Sequence, residues 1–322
     1  MSLSLGPKRT WPRPCHPFGG FLALALPHAE FRSHDGVMVG GYAHNTVYGV
    51  GLQVAAVAHV EDYFGLQIGL ATLSGPPIGS DEGGLIGIAG AQLGAVVARA
   101  DELLGAQLAG ISARSELLVG VQVGGLRARS EWAYGMLAGG VVARTETMHG
   151  VELGGVVART DELLGVQLGG VLAQAWYLRG LQASAGIAVS VDFDGHGWPG
   201  MKGVQVGGLA TYSGTHVGAQ LTGIFARADQ LDGVQIAGLA NAAWTVTGAQ
   251  LAPINVTLGH HDGLQLGGLH NYAGAMNGVQ VGFINVTGRL RGVQLGLLNF
   301  ALQGGAKFMP LLNVGVDRSG RG

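Results

Sequence analysis

Hydrophobic and polar residues alternate in a short phrase that recurs along nearly the whole chain. The phrase consists of Gly, an apolar residue, Gln and a second apolar residue, as in Gly165-Val166-Gln167-Leu168, and a pair of small residues follows it. Apolar side chains two residues apart predict a short β-strand. Copies 14 or 15 residues apart, with two longer spacings, make this a repeat protein. The opening glycines are Gly36, Gly51, Gly65, Gly90, Gly105, Gly120, Gly135, Gly150, Gly165, Gly180, Gly203, Gly218, Gly233, Gly248, Gly263, Gly278 and Gly292.

The remainder of each unit also predicts β-structure. A second apolar stretch such as Val156-Val157-Ala158 follows the small pair, and a polar stretch such as Arg159-Thr160-Asp161-Glu162 turns the chain before the next Gly. Fifteen residues are too few for a strand and a helix, and the many Gly and β-branched residues disfavour a pair of helices. We therefore predict an all-β protein.

Two all-β architectures fit such a unit. In a β-solenoid each unit is one coil, and equivalent positions of successive coils lie side by side, about 4.8 Å apart. In a transmembrane β-barrel each unit is one strand and one turn, and the turns at the two rims differ in length. The turns of consecutive units are nearly identical, as in Ala98-Arg99-Ala100-Asp101 and Ala113-Arg114-Ser115-Glu116. This favours a single elongated β-solenoid of about 15-residue coils, with a transmembrane β-barrel as the alternative.

A column of glutamines at the third unit position supports the solenoid. In a parallel stack these amides would form a hydrogen-bonded ladder along the axis. The alternative is an outward polar residue between two core residues, but such a position would vary among several polar residue types. Glu152 and Leu137 are among the few departures. The ladder is predicted to include Gln107, Gln122, Gln167, Gln205, Gln220, Gln235, Gln250, Gln265, Gln280 and Gln294.

A second amide column recurs in the C-terminal units. It consists of Asn241, Asn255, Asn271, Asn285, Asn299 and Asn313. Because Asn tolerates the left-handed backbone conformation, this column is interpreted as a corner of the coil.

The repeats define three parts of the chain. Residues 36–302 are predicted to form the repeat solenoid, with loop insertions near 74–84 and 187–202, where Gly, Pro and Asp cluster. Residues 1–35 are predicted to be an N-terminal cap, or a targeting segment, because basic residues precede a short apolar run. Residues 303–322 are interpreted as a degenerate last coil and tail, because 309–314 echo 252–256.

Composition and charge narrow the possible partners. The formal net charge is −2, which gives no electrostatic reason to expect nucleic-acid binding. The single Cys15 excludes a disulfide framework and a cysteine-based zinc site. A mean hydropathy of +0.34 with 12% charged residues makes membrane contact a possible alternative to a protein partner.

Charged residues also recur at fixed unit positions. We expect a stripe of Arg99, Arg114, Arg129, Arg144 and Arg159, and a parallel acidic stripe of Asp101, Glu116, Glu131, Glu146 and Asp161. The stripes are interpreted as a solvated edge of the coil. The alternative interpretation is a docking site for a partner.

The weakly charged C-terminal half suggests an interaction face. Trp244, Tyr272 and Phe283 are its predicted members, because large apolar patches on soluble proteins usually mark contact sites. Self-association is the expected use, since a regular β-face readily meets its own copy.

Candidate chemistry is sparse. Asp192-Phe193-Asp194-Gly195 begins like a calcium loop but lacks the later ligands, and His260-His261-Asp262 lies where other units turn and is interpreted as a solvated turn. We therefore predict a protein that is not an enzyme and has no catalytic, cofactor or metal-binding residues.

The C-terminal repeats resemble those of bacterial, leptospira-type surface-repeat proteins with units of the form Gly-Leu-Gln-x-Gly-Leu-x-Asn. Gly278-Val279-Gln280-Val281-Gly282 and Gly292-Val293-Gln294-Leu295-Gly296 match best, and the resemblance covers about residues 36–302. It implies a cell-surface or envelope setting and a scaffold or interaction role. It assigns no activity and no functional residue. A membrane-embedded β-protein, acting as a pore or outer-membrane component, is the alternative.

Overall fold

The computed structural model describes residues 2–5, 22–75, 87–191 and 200–316, and the chain divides into two compact units, residues 1–159 and 160–322. The fold is all-β, a β-solenoid of about 16 turns with coils of about 15 residues. The strands are β1 (Ser2–Leu5), β2 (Leu22–Ser74), β3 (Ile88–Ala109), β4 (Ser112–Gly124), β5 (Arg127–Arg129), β6 (Trp132–Gly139), β7 (Val142–Gly154), β8 (Val157–Gly169), β9 (Leu172–Ser184), β10 (Ile187–Ser190), β11 (Met201–Gly207), β12 (Ala210–Thr222), β13 (Phe225–Ala237), β14 (Ala240–Val281), β15 (Ile284–Gln303) and β16 (Phe308–Gly315).

Successive coils pair in parallel and in the register of the repeat. In the first unit, β3 lies beside β4 with Gln107 opposite Gln122. In the second unit, β12 lies beside β13 with Gln220 opposite Gln235. These coils therefore pair in parallel and lack the antiparallel neighbours that the barrel alternative requires.

The opening glycine of each coil is required by the backbone. All 17 of these glycines have φ between 114° and 143°, where residues with a side chain are strained. A Cβ placed on Gly263 would lie 2.0 Å from the carbonyl oxygen of Gly248 in the preceding coil. The glycine column thus combines an unusual backbone angle with a close approach between coils.

The interior of the coil is narrow and is filled by few side chains. With the opening glycine as position 1, the inward positions include 3, 9, 11 and 14. In the coil opened by Gly165 these are Gln167, Ala173, Ala175 and Leu178, and all four are buried. One glutamine, two small residues and one larger aliphatic residue therefore form the core of this coil.

The longer repeats keep the coil register. Gly90 pairs with Gly65, and Gly203 pairs with Gly180, although 25 and 23 residues separate them. Residues 76–86 and 192–199, which include most of the first predicted insertion and half of the second, lie outside the described residues. At the N-terminus, β1 pairs in parallel with Ala23–Leu26 of β2, and residues 6–21 also lie outside the described residues.

The interpretation of residues 303–322 as a degenerate last coil is wrong for the part that the structure describes. β16 runs antiparallel to β15, with Gly315 opposite Gly292 and Asn313 opposite Gln294. The chain reverses after Gln303 through Gly304 and Gly305, so this strand returns along the last coil instead of adding another one. Asn313 Nδ2 donates to Gln294 Oε1 at 3.1 Å and closes the end of the glutamine column.

Candidate interaction surfaces

The glutamines of the second unit form a continuous buried ladder. Each Nε2 donates to Oε1 of the glutamine in the preceding coil, from Gln182 onto Gln167 through to Gln294 onto Gln280, at 2.6–3.1 Å. The members are Gln167, Gln182, Gln205, Gln220, Gln235, Gln250, Gln265, Gln280 and Gln294, and all are fully buried.

The ladder of the first unit is shorter and interrupted. Gln67, Gln92 and Gln107 each donate to the glutamine of the coil before. Gln122 lies opposite Gln107 in the strand register, but its Oε1 accepts instead from Ser115 Oγ at 3.0 Å. Leu137 and Glu152 then occupy the column as buried residues, and Thr145 Oγ1 donates to Glu152 Oε1.

A second bond explains why the column prefers glutamine. In several coils the same Nε2 also donates across the interior to the backbone carbonyl seven residues on, as from Gln182 to Val189 and from Gln220 to Arg227. Both amide hydrogens and the amide oxygen are then satisfied without water. Glutamate lacks the two hydrogens and asparagine has a shorter side chain, so glutamine is the residue that links coil to coil and strand to strand.

The asparagines are also interior residues, and their interpretation as a left-handed corner is wrong. None of them has a positive φ. Asn241, Asn255, Asn271 and Asn285 each donate from Nδ2 to Oδ1 of the next asparagine along the chain at 2.8–3.0 Å, ending on Asn299. This ladder runs in the opposite direction to that of the glutamines and stabilises the same coils.

Burial of the glutamines turns their apolar neighbours outward. The aliphatic face is defined as positions 2 and 4 of the coils, on either side of the glutamine. In the second unit it includes Val234, Ile236, Leu264 and Leu266, whose side chains are 37–40% exposed. Leu295 of the last coil is 42% exposed. The strand is therefore polar inside and apolar outside, the reverse of an ordinary surface strand.

The aliphatic face has the same composition in both units. All 34 residues at positions 2 and 4 of the 17 coils are Val, Leu, Ile, Ala or Met, and none is polar or charged. In the first unit Val39, Leu108 and Val121 are exposed members. Soluble monomers rarely expose apolar surface in such continuous rows, and rows of this kind usually mark contact sites.

The predicted face of Trp244, Tyr272 and Phe283 is distributed over three columns. Trp244 and Phe283 are 60% and 53% exposed, whereas Tyr272 is half-buried. They lie at coil positions 12, 10 and 7, because Phe283 occupies the column of Leu269 in the strand register. Positions 10 and 12 are neighbouring outward columns, whereas Phe283 lies at the bend between β14 and β15 and is separated from Trp244 and Tyr272.

The arginine and acidic columns of the first unit are arranged in register. Arg99, Arg114, Arg129 and Arg144 occupy equivalent positions of neighbouring strands. The acidic column follows two residues later, with Glu131 N–H donating to the Glu116 carbonyl and Glu146 N–H to the Glu131 carbonyl. Arg99 and Asp101 form an ion pair at 3.8 Å.

Two histidines of the second unit are buried in the aliphatic column at position 14. His216 and His261 are fully buried, so the interpretation of His260-His261-Asp262 as a solvated turn is wrong for His261. His260 and Asp262 point outward and are exposed, while His261 Nδ1 lies 3.1 Å from Thr257 Oγ1. Desolvation lowers the pKa of both buried histidines to about 4.

These two histidines should make the second unit acid-sensitive. Above about pH 6.5 they are neutral in the folded and unfolded states, but below it only the unfolded chain gains the protons. Stability should therefore fall as pH drops from 6.5 towards 4, by about 3 kcal/mol for each histidine. Urea unfolding at pH 7 and pH 4.5 measures this loss.

The control is the double variant His216→Leu/His261→Leu, since Leu178, Leu231 and Leu290 occupy the same column. It should lose less stability on acidification than the wild-type chain, because the carboxylates titrate equally in both. Equal losses would contradict the prediction.

The second unit contains a cleft of about 920 Å³ that the sequence did not predict. The cleft is lined by His260, Asp262, Arg289 and Arg291 together with residues of 303–316. It forms where the chain reverses before β16, a turn that the repeat pattern does not reveal. The other chemical candidate, Asp192-Phe193-Asp194-Gly195, lies outside the described residues. In the described part of the chain, no cluster of three or more His, Cys, Asp or Glu side chains is suited to a metal ion.

The described residues contain no helix with the length and hydrophobicity of a transmembrane segment. Comparison of the chain with protein-family models, with curated proteins and with solved structures gives no match. The fold class and its surfaces therefore provide the basis for a functional proposal.

Proposed function

We propose that this protein is a non-enzymatic scaffold whose aliphatic face binds a protein surface. The observation that supports this proposal is the inverted strand, in which glutamines fill the interior while both flanking columns of aliphatic residues point outward. A soluble protein that keeps such rows exposed loses the free energy of covering them, about 25 cal/mol per Å² of apolar surface.

The extent of the face suits a protein partner. The second unit carries nine coils, and a spacing of about 4.8 Å gives their columns a length of about 40 Å. A surface of this length reaches the several hundred Å² that mark contact sites. A second copy of the chain is the simplest partner, because sheets pack face to face through interdigitating aliphatic side chains at about 10 Å.

Lipid contact is the second candidate, favoured by the complete lack of polar residues at positions 2 and 4. The resemblance of the repeats to bacterial surface-repeat proteins is compatible with either candidate, since both suit a cell-envelope setting.

The test introduces charge into the face without disturbing the interior. Ile236→Glu/Leu266→Glu places two carboxylates on exposed positions of the second unit. We expect wild-type protein to self-associate in detergent-free buffer of high salt concentration by analytical ultracentrifugation, and the variant to be monomeric there with an unchanged unfolding midpoint. Trp244→Glu, at an exposed position in another column, is the matched control and should behave as wild type.

The same proteins distinguish the lipid alternative. If wild type remains monomeric, but floats with vesicles of neutral phospholipid and the double variant does not, then the aliphatic face binds lipid. A wild-type monomer that does not bind vesicles would refute both self-association and lipid binding through this face.

A further inference from the structure

We propose that the charged stripe of the first unit joins two copies of the chain side by side, parallel and coil to coil. The charged stripe comprises Arg114, Arg129 and Arg144 at position 10 and Glu116, Glu131 and Glu146 at position 12. This surface is separate from the aliphatic face, so the inference does not rest on the proposed function.

The two charged columns lie beside each other on the outside of the coil. Arg114, Ser115 and Glu116 follow one another in β4, with Ser115 buried between two outward side chains. Ser130 and Thr145 are buried in the same way in the next two coils. In the central coil Arg129 ends β5 and Glu131 lies at the bend before β6. The acidic column therefore runs beside the arginine column at a corner of the coil, close enough for Arg99 to pair with Asp101.

The charges of these three coils are available for a partner. Within the described residues, Arg99 pairs with Asp101 at 3.8 Å, but Arg114, Arg129 and Arg144 form no ion pair with the acidic column. Like charges are stacked at about 4.8 Å within each column. Neighbouring arginines repel one another, as do neighbouring glutamates, and opposite charge from outside would relieve both columns.

The chemistry of the stripe excludes a polyanion and selects a second copy. An extended phosphate or sulfate chain lying on the arginines would also lie beside three glutamates. A second stripe offers opposite charge to both columns at once. A two-fold axis along the stack, midway between the columns, places Arg114, Arg129 and Arg144 against the glutamates of the same coils in the other copy. An axis across the stack would place arginine against arginine, so only the parallel arrangement is complementary.

Exposed aromatic residues beside the stripe support a contact here. Trp132 and Tyr134 of the central coil are 52% and 43% exposed, immediately after Glu131. Trp, Tyr and Arg are the residues most enriched at the energetic centres of protein interfaces.

The test uses charge exchange in the Ile236→Glu/Leu266→Glu chain, which weakens association through the aliphatic face of the second unit. The acidic variant carries Arg114→Glu, Arg129→Glu and Arg144→Glu. The basic variant carries Glu116→Arg, Glu131→Arg and Glu146→Arg. The exchanged variant carries all six substitutions and therefore keeps the composition of the stripe. Circular dichroism verifies that each chain is folded.

The parallel arrangement predicts a specific pattern in sedimentation experiments at high micromolar concentration and low salt. The parent and the exchanged variant should each form dimers, whereas the acidic and basic variants should each be monomers and should form dimers when mixed. The parent and the exchanged variant should not form this parallel dimer with each other, because equal charges would then face one another.

Two further measurements identify the source of association. Added salt should dissociate the stripe dimer, because exposed ion pairs are screened. Exchange of the equivalent pair in the second unit, Arg227→Asp with Asp229→Arg, should leave association unchanged. A parent chain that stays monomeric, or acidic and basic variants that stay monomeric when mixed, would overturn the proposal.

Discussion

Replacing Gly263 by alanine is expected to lower the unfolding free energy by about 3 kcal/mol or more, because two penalties act together. Its φ of 133° lies where a side chain is strained, and the new Cβ would lie 2.0 Å from the Gly248 carbonyl oxygen. Relieving that contact requires the two coils to separate, which would weaken the backbone bonds between them. Urea unfolding of the purified variant measures the loss.

Gly268 in the same coil provides the control. A Cβ there meets nothing closer than 3.8 Å, and its φ lies outside the left-handed region. Gly268→Ala should therefore be neutral, or stabilising by up to about 1 kcal/mol through reduced freedom of the unfolded chain. Similar losses at both positions would show that the close approach between coils does not determine the glycine column.

Replacing Gln220 by leucine should also cost about 3 kcal/mol or more, because each buried polar group left without a partner costs about 1–3 kcal/mol. Gln220 Nε2 donates to Gln205 Oε1 and to the Arg227 carbonyl, and its Oε1 accepts from Gln235. Three buried groups would lose a partner. Chemical denaturation with circular dichroism would report the change.

Leucine itself fits this column, since Leu137 occupies it as a fully buried residue. The loss should therefore come from hydrogen bonds rather than from overpacking. Leu221→Gln, which moves the same amide to the outward neighbouring position, should change stability by less than about 0.5 kcal/mol. If the outward substitution cost more than the inward one, the assignment of inside and outside in this strand would be wrong.

The ladder also explains how the proposed interaction surface can coexist with a stable coil. Amide side chains hold the interior together through hydrogen bonds, so the aliphatic residues on either side are not needed for the core. Their outward columns can then be used for contact. Charge introduced at Ile236 or Leu266 changes the proposed contact surface, whereas a change at Gln220 changes the stability of the fold.

The repeat pattern determined the fold and much of its interior. Its constant spacing predicted parallel coils, because equal units with equal turns place equivalent residues side by side, as Gln220 and Gln235 are. The near-invariance of glutamine predicted a bonding role, since a solvated position would vary. The arginine and acidic columns followed from the same register.

Only the tertiary structure decided which side of each strand faces inward. The alternation of apolar and polar residues shows that Val234 and Gln235 point to opposite sides of the strand. The two-residue period is the same whichever of the two sides is buried. Glutamine is the inward residue because the coil is narrow. Its amide can therefore bond both to the glutamine of the neighbouring coil and to the backbone carbonyl on the opposite side of the interior. The same dependence on distant neighbours placed His261 inside, separated Trp244 from Phe283, and turned β16 back along the last coil.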